Sequence, residues 1–109
     1  MKTAQILEWI DGALEDSATF TKLNQPTQDA LKKMMVEASE KIQERMGPDF
    51  TGTFLVKLAK ELKKTNWLWI QNNQWPYAKW NTVKKSVFKA SMDAMGVVPD
   101  QTDFFEEDV

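Results

Sequence analysis

The segment from residue 26 to 46 most constrains the fold, because its apolar residues follow helical spacing along its whole length. Asn24 or Thr27 would cap the start, where Pro26 is tolerated in the first turn, and Gly47 followed by a proline would end it. Lysines and glutamates occupy the opposite side, so the pattern predicts an amphipathic helix. The apolar stripe consists of Leu31, Met34, Met35, Ala38, Ile42 and Met46.

Three further segments show the same periodicity, and no pair of segments reads as two strands that could form a sheet. We therefore predict an all-α fold, a compact bundle of about four amphipathic helices at approximately 3–16, 26–46, 54–66 and 76–95. Residues 1–96 would form a single helical domain, and 97–109 an acidic, flexible tail. The apolar stripes of the three further helices are Ile6, Trp9, Ile10, Ala13 and Leu14; Leu55, Leu58, Ala59 and Leu62; and Tyr77, Trp80, Val83, Val87, Phe88 and Met95.

The connections between these helices are less determined by the sequence. Residues 47–53 are predicted to form a short loop in which Asp49, Thr51 or Thr53 caps the third helix. Residues 67–70 would extend the third helix, form a short strand or make a buried irregular turn, and we favour a helical end or an extended link. Between the first two helices, Phe20 and Leu23 are available to fold back onto the core.

Several classes of function are disfavoured by residues that the chain lacks. It contains no cysteine and no histidine, and none of the glycine-rich phosphate-binding or nucleophile motifs occurs. We therefore expect a non-catalytic protein without cofactor or metal. No apolar run is long enough for a signal peptide or a membrane span, so we expect a soluble, cytoplasmic protein with no membrane partner.

Charge is distributed unevenly along a chain whose formal net charge is only −2. Residues 1–52 carry a net charge of −3, residues 53–92 a net charge of +7, and residues 93–109 six acids without a base. Such asymmetry is typical of proteins that contact a polyanion or that carry an acidic tail for a basic surface.

The basic segment also holds four of the five tryptophans, namely Trp67, Trp69, Trp75 and Trp80. The helical stripes place Trp80, and one of Trp67 and Trp69, in the core. Lysines would attract phosphate, and aromatic and amide side chains would stack on or bind bases, so the best single hypothesis is contact with nucleic acid, DNA in particular, through segment 57–89. In one version, residues 76–95 form the second helix of a helix-turn-helix variant. The candidate contact residues are Lys57, Lys60, Lys64, Gln74, Trp75, Tyr77, Lys79, Asn81, Lys84, Lys85 and Lys89.

Lys84 departs from the pattern, because projection places it within the apolar arc between Trp80 and Phe88. A lysine there either snorkels to the edge of the helix with its stem on the aromatic rings, or lies on an open surface beside Trp80. The first alternative is favoured.

The alternative hypothesis is a protein-binding helical adaptor or inhibitor, of a kind common among proteins encoded by mobile elements. It would act through exposed tryptophan and methionine side chains and through acidic faces, on a larger protein or on a second copy of itself. The methionines of the second helix are favoured as core residues over an interaction surface. In the tail, Phe104 and Phe105 form an apolar pair among acids that would suit a docking peptide.

Overall fold

A computed structural model describes residues 1–70 and 76–96, with the backbone alone at 76–78. Every regular element in these residues is helical, which confirms the predicted all-α fold with four amphipathic helices. The elements are α1 (Thr3–Glu15), a short 3-10 turn (Phe20–Lys22), α2 (Gln25–Met46), α3 (Pro48–Lys64), α4 (Pro76–Val83), a π segment (Lys84–Phe88) and α5 (Lys89–Asp93).

The last three elements form one continuous rod, which we call the C-terminal helix. The backbone keeps right-handed helical dihedral angles at Val83, Phe88 and Lys89, where one element passes into the next. The widening to π geometry in the middle was not predicted from the sequence. The rod ends at Asp93, two residues before the predicted end at 95, and Gly96 follows it with a φ of 76°, which no other residue type adopts as easily.

The helices α2 and α3 form the central pair of the bundle. Each contacts α1 on one side, and each also contacts the C-terminal helix, α2 through α4 and α3 through the π segment and α5. Their buried apolar residues belong to a single core cluster, which includes all the predicted α2 stripe except Met46, and Met46 packs against the cluster. Phe20 and Leu23, between α1 and α2, are also buried, as expected.

The start of α2 follows the sequence signal closely. Asn24 is the N-cap residue, and its side-chain Oδ1 accepts a hydrogen bond from the backbone N–H of Thr27 at 3.1 Å. Pro26 lies in the first turn, where a missing N–H removes no helical hydrogen bond. The cap therefore satisfies one of the free amide groups that every helix start leaves.

The predicted loop at 47–53 is wrong, because α3 begins at Pro48 and the connection from α2 is Gly47 alone. Gly47 has φ 87° and ψ 167°, a conformation with positive φ but extended ψ instead of the left-handed helical cap. Pro48 does not merely stop α2, since its fixed φ also suits the first turn of the next helix. Thr51 is consequently a buried helical residue whose hydroxyl donates to the carbonyl of Gly47 at 2.8 Å.

Residues 67–70 form an irregular turn, the alternative that the sequence did not favour, and only its first and last residues are buried. The N–H of Ile70 donates to the carbonyl of Trp67 at 3.1 Å, and both side chains are fully buried. The indole Nε1 of Trp67 donates to the carbonyl of Leu62 at 3.1 Å. The turn thus closes the open end of α3 by packing a tryptophan into the core and satisfying a backbone acceptor there.

Within the described part of the chain, no helix combines the length and the apolar character needed to cross a membrane.

Candidate functional site

Most of the predicted lysines lie at the surface of α3 and the C-terminal helix. Lys60, Lys64, Lys85 and Lys89 are exposed, Lys57 and Lys79 are half-buried, and the predicted contact residue Asn81 is exposed beside them. We call the six lysines the basic face: Lys57, Lys60, Lys64, Lys79, Lys85 and Lys89.

The basic face is divided between α3 and the C-terminal helix, which contact each other. On α3, Ala59 and Lys63 line a groove against α1, whereas Lys57, Lys60 and Lys64 project to the side away from it. The rings of Phe54 and Phe88 lie 5.8 Å apart and mark where α3 meets the π segment. Lys57 follows Phe54 by three residues and Lys85 precedes Phe88 by three, so each lies about one helical turn from this contact.

Lys84 does not lie on the basic face, because the residue is buried and only 3% exposed. Both expectations for it, a snorkelling side chain and an open surface, are therefore corrected. Trp80 and Phe88, which precede and follow it by four residues, are core residues, and Lys84 is enclosed with the stripe that they define. A phosphate contact requires an accessible ammonium group, so Lys84 leaves the candidate contact set.

The ion pairs at this end of α3 leave its lysines accessible. The Nζ of Lys64 lies 2.9 Å from a carboxylate oxygen of Glu61, and the Nζ of Lys63 lies 3.7 Å from one of Asp16. The lysine side chains remain 71% and 50% exposed, respectively, and ion pairs at such exposed positions contribute little stability. Both ammonium groups are thus free to exchange a carboxylate for a phosphate.

An exposed aromatic residue that the candidate set omitted lies just beyond α3. Trp69 is 38% exposed and Leu68 is also exposed, although Trp67 and Ile70 on either side of them are buried. Trp69 follows Lys64 by five residues, so its ring is presented at the same end of α3 as that lysine. The sequence held no signal for this choice, because only the turn geometry decides which of the two tryptophans points inward.

The surface around α1 carries two grooves. The one against α3 has a volume of about 390 Å³ and includes Trp9, which is 45% exposed in spite of its predicted place in the core. The one against α2 has a volume of about 540 Å³ and includes Leu7, which is also exposed. Trp9 and Leu7 lie on different sides of α1, since two residues turn an α-helix by about 200°.

Several predicted residues fall outside what the structure describes. These are Gln74 and Trp75, the side chain of Tyr77, and the tail pair Phe104 and Phe105, together with the acidic segment 97–109. Among the described residues, no group of three or more carboxylates is arranged to hold a metal ion.

Comparison with protein-family models, with curated proteins and with solved structures gives no match for this chain.

Proposed function

We propose that the protein binds nucleic acid through the basic face, with single-stranded nucleic acid as the preferred form. The observation that supports this most directly is the combination of accessible lysines on two adjoining helices with an exposed tryptophan at the end of one of them. Lysines attract the phosphate backbone, and an exposed indole offers a face on which an unpaired base stacks. Glu61 is the one acid among the eight lysines of residues 53–92.

The geometry favours a single strand over the helix-turn-helix version. A recognition helix in a major groove reads base edges with side chains on one exposed side, and Lys84 is removed from that side by burial. The connection between α3 and α4 spans residues 65–75, longer than the three or four residues of the usual motif. The acidic overall balance does not oppose contact, because local potential governs association more than net charge does.

Fluorescence anisotropy of a labelled oligothymidylate across a salt series tests the proposal. Affinity should fall steeply as salt rises from about 50 mM, since each phosphate that a lysine neutralises contributes about 0.7 to the logarithmic slope for a single strand. A duplex of the same length should bind more weakly. No binding at the lowest salt concentration, or a preference for the duplex, would contradict the proposal.

Charge-reversal variants locate the surface. Lys60→Glu with Lys64→Glu, and Lys85→Glu with Lys89→Glu, should each weaken binding strongly and reduce the salt slope of what remains. The matched control is Lys22→Glu with Lys33→Glu, which changes the net charge equally at exposed positions away from the basic face. An equal loss of affinity in the control would mean that the overall charge of the protein, and not the basic face, governs binding of the oligonucleotide. Lys84 is left unchanged because a glutamate at a buried position would damage the fold.

The two exposed tryptophans provide a second matched pair. Trp69→Ala should weaken the binding of oligothymidylate by about 1 to 3 kcal/mol, which is the usual contribution of one stacked base. Trp9→Ala removes an indole of similar exposure from the α1 side of the molecule and should leave the affinity unchanged. If both variants bind as the wild type does, stacking by Trp69 is excluded.

A second function, protein binding, is favoured by a different observation. The large apolar residues exposed in the described part of the chain include Trp9 and Leu7, on either side of α1, and Val56 on α3. Tryptophan is enriched at the centres of protein interfaces, and exposed apolar residues of this size mark candidate contacts. The methionines do not contribute, because Met34, Met35 and Met92 are buried and the other three pack against the core.

Partner capture from host lysate with a matched pair of variants tests this second candidate. A specific partner should be retained by the wild type and by Trp69→Ala, but lost from Trp9→Ala or from Leu7→Ser. Sedimentation of the purified protein over a range of concentrations shows whether that partner is a second copy. A monomer that retains no protein, or retains the same proteins in every variant, would contradict the candidate.

A further inference from the structure

The groove between α1 and α2 has an apolar middle that is held between two polar contacts. At one end, the hydroxyl of Thr3 donates to a carboxylate oxygen of Glu40 at 2.6 Å. At the other end, the Nζ of Lys32 lies 2.5 Å from a carboxylate oxygen of Asp11. These pairings show that α1 and α2 run antiparallel, since the early residue of one meets the late residue of the other.

Leu7 occupies the centre of this arrangement. It lies four residues after Thr3 and four before Asp11, and Val36 lies midway between Lys32 and Glu40 on the facing helix. Both apolar side chains line the groove, Val36 buried and Leu7 42% exposed. The two polar contacts close the ends of the groove, and Leu7 remains exposed between them.

The walls of the groove are predominantly acidic. Its lining includes four carboxylates and two ammonium groups, and one of these, on Lys32, is already paired with Asp11 and lies 6.0 Å from the centre of the Phe20 ring. The carboxylates are those of Asp11, Asp29, Glu37 and Glu40. An apolar centre with acidic walls complements a helix that carries apolar residues on one side and lysine or arginine beside them.

From this charge complementarity we infer that the α1/α2 groove is a docking site for a basic amphipathic helix of another protein. The inference rests on the protein-binding candidate and names the surface and the partner's chemistry. The lining residues Asp29 and Glu40 are eleven positions apart on α2, which corresponds to about 16 Å, or three helical turns. An apolar side chain of the partner contacts Leu7 and Val36, and its basic residues face Asp29, Glu37 and Glu40.

A synthetic peptide serves as the probe, with leucines on one helical side and lysines on the other. It has about 14 residues, close to four turns, and carries fluorescein for anisotropy measurements on the full-length protein. A peptide with glutamate in place of every lysine is the matched control. The lysine peptide should bind and the glutamate peptide should not. Equal binding of the two peptides would overturn the inference, because the acidic walls would then play no part.

Point variants separate the groove from other exposed apolar residues. Leu7→Ser should weaken the binding of the lysine peptide by about tenfold or more, as expected for the loss of one buried leucine contact. Leu68→Ser, at an exposed leucine far along the chain, should leave the affinity unchanged. Glu37→Lys should lower the affinity for the lysine peptide, and Lys33→Glu should raise it. An equal effect of the two serine variants, or the same sign for the two charge reversals, would contradict the site.

Failure of the groove inference can be distinguished from failure of the protein-binding proposal. If a lysate partner is lost from Trp9→Ala but kept by Leu7→Ser, the protein binds a partner elsewhere and the groove inference fails. If sedimentation shows a dimer that Leu7→Ser abolishes, a second copy occupies the groove and the foreign basic helix is excluded. Retention of a partner by Trp9→Ala, its loss from Leu7→Ser and its displacement by the lysine peptide together support the inference.

Discussion

The hydroxyl of Thr19 accepts a hydrogen bond from the backbone N–H of Trp67 at 3.0 Å, across 48 positions of the sequence. The same hydroxyl donates to the carbonyl of Thr65 at 3.3 Å. Beside these bonds, the Trp67 ring meets the Phe20 ring edge to face, with centroids 5.5 Å apart. One threonine thus joins the connection after α1 to the residues that follow α3.

Thr19→Val should destabilise the fold by about 1 to 2 kcal/mol, because it keeps the shape of the side chain but leaves the partly buried N–H of Trp67 without its acceptor. Urea unfolding followed by circular dichroism measures the loss. Thr21→Val is the matched control, since Thr21 is an exposed residue whose hydroxyl donates to the nearby carbonyls of Ser17 and Ala18. A comparable loss in both variants would show that the bond to Trp67 has no special role.

Acrylamide quenching should divide the described tryptophans into two groups. Trp9 and Trp69 are exposed, whereas Trp67 and Trp80 are buried in the core. Replacing Trp9 or Trp69 with phenylalanine should lower the quenchable fraction of the emission, and replacing Trp80 should lower the protected fraction. If Trp69→Phe removes protected emission instead, the turn at 67–70 has the opposite tryptophan inside.

Two glycine substitutions of equal size should change stability in opposite directions. Gly47→Ala should lower the free energy of unfolding by about 1 to 3 kcal/mol, because residues with a Cβ rarely adopt φ 87° with ψ 167°. Gly52→Ala, in the interior of α3, should stabilise by about 0.4 to 1 kcal/mol. Neither added methyl group meets an atom within 4 Å, so both effects come from the backbone. Thermal unfolding of the two variants checks the signs, and two changes of the same sign would be inconsistent with this geometry.

Asn24→Ala should destabilise by about 1 kcal/mol through the loss of the α2 cap. Asn24→Ser keeps a side-chain oxygen for the N–H of Thr27 and should recover most of that loss. Urea unfolding compares the two variants with Gln25→Ala, which removes an exposed side-chain contact to Asp29 and should change stability little. Equal losses for alanine and serine at position 24 would show that the cap bond does not stabilise α2.

The features that the sequence predicted correctly are those with local causes. The stripe from Leu31 to Ile42 is buried, Asn24 caps α2, and Gly47 ends it, each within one helix and its flanking residues. The bounds of α1 and α2 agree with the predictions to within one residue for the same reason. The lysines Lys60, Lys64, Lys85 and Lys89 are exposed because they lie opposite apolar stripes that the helical period already identifies.

The features that the sequence did not predict depend on contacts between distant segments. Trp9 belongs to the apolar arc of α1 by projection, but α2 and α3 cover only part of that arc. The burial of Trp67 instead of Trp69 depends on contacts with Thr19 and Phe20, which lie nearly fifty positions away in the sequence. The sequence pattern identifies Pro48 as the end of α2, although the same fixed dihedral angle also begins α3.

The single-residue connection at Gly47 sets the rotational phase of α3 relative to α2. With no further residues to absorb a change, one inserted residue at this corner would advance α3 by about 100° about its own axis. Such a rotation would carry the buried Leu58 and Leu62 toward solvent and would move Lys60 and Lys64 away from their present surface. The surface on which the lysines appear is therefore determined by the length of one connection as much as by their own positions in the helix.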